Sequence, residues 1–202
     1  MAISTNKKKA IENLSNMIFG LALSIGSLTL ITSTNLSPQA VVNAITTFAF
    51  GFATLILIWF RYNTVLDRLK GETNAELWLN IAMLFFVVIE PYLFNLLHNP
   101  GTLSQDFTTG MYGLDIAGML AVLGMIYGLA YHESGRKKDA PAIYLRTLGI
   151  GLFVSGIIFG VSTIPIFWQV ALAGVNFRYV LWFVALFLGV VYRKMLVRRL
   201  RG

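Results

Sequence analysis

Two acidic residues lie inside long apolar segments of this chain and are its clearest candidates for chemistry. They are Glu90 in VVIEPYLF and Asp115 in YGLDIAGM. An ionisable group is costly inside a membrane, so such residues are candidates for cation binding, proton transfer or helix packing. The residues alone leave three interpretations open: a polar network in the outer half of the protein, joined by Arg178; a vestibule that attracts cations; and proton coupling.

Patterns typical of enzymes are missing from the sequence. The chain has no cysteine, which excludes disulfides, thiolate catalysis and cysteine metal sites. It contains two histidines, His98 and His132, and the topology derived below places them on opposite sides of a membrane. No nucleophile-elbow, zinc or phosphate-loop motif occurs. We therefore expect no enzyme, no catalytic residue, no metal site and no bound cofactor.

The composition indicates a membrane protein. Hydrophobic residues make up 56% of the 202 residues and charged residues 12%, with a mean hydropathy of +0.70. A soluble domain carries roughly twice that share of charged residues. The net charge of +7 raises the question of nucleic-acid binding, but the basic residues lie at the ends of apolar segments. The lipid bilayer, and not nucleic acid, is the expected partner.

Six apolar segments are long enough to cross a bilayer, whose hydrocarbon core needs roughly 20 helical residues. The sequence predicts a single all-α domain, 1–202, with six transmembrane helices near 13–33, 40–61, 76–97, 109–131, 142–164 and 177–197. Of the 16 Lys and Arg residues, all but Arg178 fall on one side of this arrangement. Basic residues mark the cytoplasmic side, so both termini are predicted to be cytoplasmic.

The first predicted span has two different faces when it is drawn as a helix. One face is bulky and aliphatic with one hydroxyl, and the other is small. The bulky face holds Met17, Leu21, Ser24, Ile25, Leu28 and Ile31, and the small face holds Gly20, Ala22, Gly26 and Ser27. Small residues let helices approach closely in lipid. On this pattern alone, an ordinary packed helix is the preferred interpretation.

The same region carries a family resemblance. The stretch LSNMIFGLALSIGSL at 14–28 is similar to a family pattern that contains Phe-Ser-Asp-Gly, with Ser15 kept and Asn16 in place of Asp. The stretch LIWFRYNTVLDRL at 57–69 keeps the tryptophan of a second pattern as Trp59, and LWLN at 77–80 opens the third span. On these residues the chain resembles the prokaryotic branch of the transmembrane protein 175 family of potassium channels, over residues 10–97.

The resemblance implies a function and a site. Family members are expected to be homotetramers in the prokaryotic plasma membrane, with the first helix of each subunit lining one pore for permeant K⁺. Counted from Asn16, the constriction would be formed by Leu21, Ile25 and Leu28, and Ser24 would take the place of a selectivity-layer threonine. These positions fall on the bulky face described above. A hydrophobic ring can gate by dewetting, and a hydroxyl layer can replace part of an ion's water shell.

The chain also departs from the family pattern. Ala10 stands at the family arginine, and Tyr62 and Asn63 stand at the family histidines. The charged contacts that join the first two helices in the family are therefore absent from the sequence. We expect a neutral hydrogen-bond network in their place, formed by Ser15, Asn16, Trp59 and Asn63.

Two other functions are considered beside a channel. A secondary transporter would use Glu90 and Asp115 to bind a proton or a cation within each subunit. A packing or assembly partner would have no conduction at all. Inverted repeats would favour the transporter, but spans one to three and four to six show no convincing similarity.

Overall fold

The apolar segments form long α-helices in the computed structural model, which describes residues 2–31, 37–69, 73–98, 102–135, 140–172 and 175–185. Five long helices come first: α1 (Ala2–Ile31), α2 (Pro38–Leu66), α3 (Asn74–His98), α4 (Gln105–Glu133) and α5 (Ala140–Ser162). A short helix α6 (Ile166–Gln169) and two paired strands, β1 (Ala171–Leu172) and β2 (Val175–Asn176), follow. A further helix, α7, occupies 177–185.

The predicted all-helical membrane architecture is confirmed in its coarse form. Among the residues that the structure describes, four helices are long and apolar enough to cross a membrane: Ala44–Leu66, Asn74–Leu97, Gln105–Glu133 and Pro141–Ser162. They correspond to predicted spans two to five. The outer end of predicted span one, 32–33, and the second half of predicted span six, 186–197, lie outside the described residues.

Local sequence signals explain where several helices begin. Thr73 and Glu76 form a reciprocal capping box at the start of α3: the Thr73 N–H donates to Glu76 Oε2 at 2.9 Å, and the Glu76 N–H donates to Thr73 Oγ1 at 3.2 Å. Ser104 caps α4 by accepting from the Phe107 N–H at 3.2 Å. Pro38 is the first residue of α2. An N–H at this position has no intrahelical acceptor, so a proline, which lacks the N–H, costs the helix no hydrogen bond.

The helices α4 and α5 approach closely through glycine. A Cβ added at Gly156 would lie 3.0 Å from the carbonyl oxygen of Ala117, and one at Gly124 would lie 3.0 Å from the carbonyl oxygen of Gly149. These glycines place the two backbones in direct contact, as small residues do between membrane helices. Gly128 and Gly151, which lie on the same two helices, have no neighbouring atom within 4 Å of that position.

The helix α7 packs against the centre of the bundle through Trp182. Its ring lies 5.7 Å from the rings of both Phe159 and Tyr112, and its Nε1 donates to Ser162 Oγ at 2.8 Å. The backbone carbonyl of Ala185 accepts from Ser155 Oγ at 2.9 Å. Trp182 thus connects α7 to both α4 and α5 with its indole N–H satisfied.

Candidate pore-lining face of the first helix

The helix α1 presents one face to its own subunit and leaves the opposite face uncovered. Its buried residues are Ser15, Phe19, Ala22 and Gly26, which recur at helical spacing. On the uncovered face Leu21 is 58% exposed, Ile25 44% and Leu28 53%. Ser24 is also exposed and lies among them. The positions inferred for the constriction and the hydroxyl layer therefore share an uncovered surface within one subunit.

The buried face of α1 is held by a hydrogen-bond chain through Tyr62 of α2. The Tyr62 hydroxyl donates to Asn80 Oδ1 of α3 at 2.7 Å and lies 2.9 Å from Ser15 Oγ. The rings of Phe19 and Tyr62 lie 5.6 Å apart. Since Tyr62 is fully buried, this single side chain fixes the positions of three helices at the predicted cytoplasmic end.

A second contact joins α1 and α2 one turn away. Trp59 Nε1 donates to Asn16 Oδ1 at 2.9 Å. The Asn63 side chain forms no hydrogen bond with any residue that the structure describes. Of the four residues expected in the neutral network, Ser15, Asn16 and Trp59 thus make contacts between helices. Tyr62 and Asn80 were missed, although Tyr62 occupies a family histidine position and Asn80 ends the LWLN stretch.

Removing the Tyr62 hydroxyl should destabilise the protein. Tyr62→Phe leaves the buried Asn80 and Ser15 without their shared partner, which should cost about 1–2 kcal/mol. We expect a lower apparent melting temperature in detergent micelles. Tyr92→Phe is the matched control, because Tyr92 is 64% exposed on α3. Equal melting temperatures for the two variants would contradict a structural role for the Tyr62 hydroxyl.

The Ser24 hydroxyl is oriented so that its oxygen stays available. Ser24 Oγ donates its proton to the carbonyl oxygen of Gly20 at 2.8 Å, and Ser27 Oγ donates to the carbonyl oxygen of Ser24 at 2.7 Å. A serine that donates backwards to its own helix keeps oxygen lone pairs free. On an exposed face flanked by Leu21 and Ile25, those lone pairs are suited to a cation.

The two intramembrane acids lie inside the subunit instead of on the exposed face of α1. Glu90 is 2% exposed and Asp115 4% exposed. The Tyr112 hydroxyl donates a long hydrogen bond of 3.5 Å to Glu90 Oε1, and Glu90 lies near enough to Asp115 for their charges to interact. Asp115 Oδ2 has no hydrogen-bond partner in the part of the chain that the structure describes.

Of the three interpretations left open by the sequence, the polar network joined Arg178 to these acids, and the structure does not show that contact. The guanidinium of Arg178 contacts Thr109 and the backbone carbonyl of Asp106 instead, and it lies over the ring of Trp168. The sequence suggested the pairing because Arg178 is the only basic residue predicted on that side of the membrane. The extra helix α6 and the strand pair, which the sequence did not predict, carry Trp168 and Asn176 to Arg178 and hold it away from the acids.

Glu90 lies directly behind α1. Together with Ala22, Gly26 and Phe94 it lines a narrow cavity of about 10 Å³, which is roughly the space for one water molecule. The small side chains of α1 permit this close approach. Glu90 thus lies against the buried face of α1. It is at the same level along the helix as Ser24 and Ile25 on the exposed face.

Among the comparisons with known proteins, the search of solved structures identifies a protein with a similar fold. No protein-family model and no curated protein matches the chain. A solved structure does match: a variant of the potassium channel MtTMEM175, in complex with a nanobody–MBP fusion protein. The TM-score is 0.64 and the identity 16%, with 93% of each chain covered.

The chain adopts the fold of a transmembrane protein 175 channel. The family resemblance inferred from residues 10–97 is confirmed at the level of the fold, and the structural match extends it to nearly the whole chain. At 16% identity the match does not carry residue roles with it. The pore-lining roles predicted for Leu21, Ser24, Ile25 and Leu28 remain predictions, to be argued from this chain's own residues.

Proposed function

We propose that this protein is a potassium-favouring cation channel in the plasma membrane of a prokaryote. Four copies of the chain surround one axis, α1 of each copy lines the pore, and both termini lie in the cytoplasm. Ions pass down their gradient, so the protein needs no bound cofactor and catalyses no reaction. The MtTMEM175 match supports a channel, because the whole fold is shared with a protein described as a potassium channel.

One observation carries the proposal: the uncovered face of α1 combines aliphatic side chains with one hydroxyl whose oxygen is free. Leu21, Ile25 and Leu28 are each at least 44% exposed, and Ser24 lies between Leu21 and Ile25. From Leu21 to Leu28 the helix rises about 10 Å, which is short enough for a single constriction. If this face is turned toward the axis in all four copies, each position contributes one ring of four side chains. The rings are then stacked along the pore.

The rings have separate physical roles in this arrangement. Rings of Leu and Ile narrow the path and exclude water when they are close together, so they set the barrier to conduction. A ring of Ser24 oxygens offers ligands that replace part of the hydration shell of a cation. Potassium is favoured over sodium because it holds its water less tightly and loses it at lower cost.

A secondary transporter built on Glu90 and Asp115 is the alternative. Its supporting observation is that both acids are buried near each other, with Tyr112 bonded to Glu90. The two functions differ in which residues are essential. A transporter loses flux with Glu90→Gln or Asp115→Asn and keeps it with Leu21→Ala, whereas a channel responds strongly to the change at Leu21.

Recordings under bi-ionic conditions test the proposal. Purified protein would be fused into a planar bilayer with potassium on one side and sodium on the other. We expect discrete current steps that reverse toward the potassium equilibrium potential. Folded protein that gives saturable, gradient-coupled uptake in vesicles and no current steps would refute the channel. Folded protein with neither activity would indicate a packing or assembly partner.

Removing the Ser24 hydroxyl should weaken ion selectivity. Ser24→Ala deletes the free oxygen from the exposed face and leaves the aliphatic residues in place, so the preference for potassium over sodium should fall severalfold. Ser27→Ala is the matched control, since Ser27 also donates back to a carbonyl of the same helix but is half-buried, whereas Ser24 is exposed. An unaltered reversal potential in Ser24→Ala would remove this residue from the selectivity layer.

A further inference from the structure

Met17 extends the uncovered face of α1 toward its predicted cytoplasmic end. It is 72% exposed, more than Leu21 or any other large hydrophobic side chain described on this helix. Four residues separate Met17 from Leu21, so the two side chains lie about 40° apart around the helix and about 6 Å apart along it. Met17 also stands at the glycine of the Phe-Ser-Asp-Gly family pattern. This chain therefore carries a large apolar side chain on that face where the pattern has none.

The contacts behind Met17 fix its direction. On the opposite side of α1, Ser15 Oγ lies 2.9 Å from the Tyr62 hydroxyl, and the rings of Phe19 and Tyr62 lie 5.6 Å apart. Ser15 and Phe19 are each two residues from Met17, and side chains two residues apart do not share a helix face. The buried contacts therefore turn Met17 outward, and a substitution at Met17 leaves them in place.

Met17 is also the thioether most open to oxidation among the methionines that the structure describes. Met83 and Met119 are fully buried, and Met111 and Met125 on α4 are less exposed than Met17. The chain has no cysteine that would react first. Since Met17 lies on the cytoplasmic side of Leu21 in the predicted topology, a small oxidant that arrives with water reaches it without passing the inferred constriction.

Oxidation turns an apolar thioether into a polar group. Sulfur gives an electron pair to one oxygen of hydrogen peroxide: an S–O bond forms, the O–O bond breaks, and the second oxygen leaves with both protons as water. Sulfur is thereby oxidised by two electrons, and the peroxide is reduced. The sulfoxide is polar, whereas the thioether is apolar and only a weak acceptor of hydrogen bonds. A ring of sulfoxides would hold water where a ring of thioethers excludes it.

We propose that Met17 of the four copies forms a second, peroxide-sensitive ring at the cytoplasmic end of the pore. The inference rests on the proposed channel, since Met17 faces the axis only if α1 lines the pore. In the reduced state the ring is apolar and adds a barrier in series with the ring of Leu21. Conversion of Met17 to its sulfoxide hydrates the ring, so peroxide raises the conductance. Met17 is thus a site of covalent regulation, distinct from the selectivity layer at Ser24.

Planar-bilayer recordings of oxidised protein test the proposal. The parent protein in lipid vesicles would be treated with hydrogen peroxide and the sample divided. One part goes to peptide mass spectrometry, which measures the sulfoxide at each methionine, and the other to recordings in symmetrical potassium chloride. We expect Met17 to be oxidised and the single-channel conductance to rise severalfold, because a hydrated ring lowers the barrier to an ion.

Three variants assign the effect to one side chain. Met17→Leu keeps an apolar side chain of similar volume and removes the sulfur, so its conductance should be the same before and after peroxide. Met17→Gln places a polar, uncharged group of similar length on the face, so its conductance should exceed that of the untreated parent without any oxidant. Met125→Leu removes an exposed thioether from α4 and should respond to peroxide as the parent does.

The outcomes that contradict this inference differ from those that contradict the channel. A parent protein that conducts, and whose conductance is unchanged when Met17 is fully oxidised, would overturn the ring and leave the channel in place. Oxidation of Met125 with Met17 unreacted would show that water does not reach Met17. An equal rise in Met17→Leu and the parent would assign the response to another residue. A protein without current steps would refute the proposed channel and, with it, this inference.

Discussion

Leu21→Ala should raise single-channel conductance severalfold. Leu21 is 58% exposed on the uncovered face of α1, and truncation removes three carbon atoms from each subunit at the inferred constriction. A wider ring holds water more readily, and water continuity lowers the barrier to an ion. The measurement is single-channel current in symmetrical potassium chloride.

The control for this change is Leu114→Ala. Leu114 is 49% exposed and lies on α4, away from the face of α1 that carries Leu21. The substitution deletes the same atoms from a similarly exposed leucine, so any general effect of lost apolar surface appears in both variants. Conductance that rises equally in the two variants, or in neither, would contradict a constriction at Leu21.

Gly156→Leu should prevent α4 and α5 from packing. Even a Cβ at this position would lie 3.0 Å from the carbonyl oxygen of Ala117 and 3.2 Å from the backbone nitrogen of Ala121. Both atoms belong to the α4 backbone, which cannot move aside as a flexible side chain would. We expect a loss of stability of about 3 kcal/mol or more, at the upper end for overpacked sites. The readouts are the apparent melting temperature and the elution profile in detergent.

Gly151→Leu provides the comparison on the same helix. It adds the same side chain, but a Cβ at Gly151 meets no atom within 4 Å. The helix-propensity gain of replacing glycine is common to both variants. We therefore expect Gly151→Leu to stay close to the parent protein. A Gly156→Leu protein as stable as Gly151→Leu would show that the two helices do not need this close contact.

Much of the helical architecture follows from the sequence because long apolar blocks have few alternatives in a membrane. A segment such as 76–97 must satisfy its backbone internally, and a helix does so without partners. The observed α3 runs from Asn74 to His98, slightly beyond the prediction. Helix ends depend on caps such as Thr73 with Glu76, and this cap starts α3 two residues before the apolar block.

Packing partners were less predictable, because a sequence pattern does not specify what lies opposite a residue. Gly151 and Gly156 occur in the same helix, and each is followed four residues later by another small residue, yet of the two only Gly156 meets a neighbouring backbone. One interpretation of the sequence placed Arg178 near Glu90 and Asp115 on charge alone. The fold around 166–176 sets its position instead, and no periodic pattern predicted α6 or the strand pair there.

The two faces of α1 were predictable in composition and not in orientation. Spacing places Leu21, Ser24, Ile25 and Leu28 together, but an ordinary core helix would bury them. The structure shows that Phe19 and Ala22 are buried and that the bulky face is uncovered. Tyr62 decides this orientation by bonding Ser15 on the opposite side, a contact between residues 47 positions apart in sequence.

The central claim is that the uncovered face of α1 lines the ion path, and cysteine modification tests it most directly. The chain contains no cysteine, so one introduced thiol is the only target for a positively charged methanethiosulfonate reagent. Such reagents need a hydrated thiolate. In bilayer recordings of Ser24→Cys, with labelling verified by mass spectrometry, we predict that the reagent blocks the current. Ile157→Cys on α5 should conduct as before. Undiminished current through fully labelled Ser24→Cys would contradict the account.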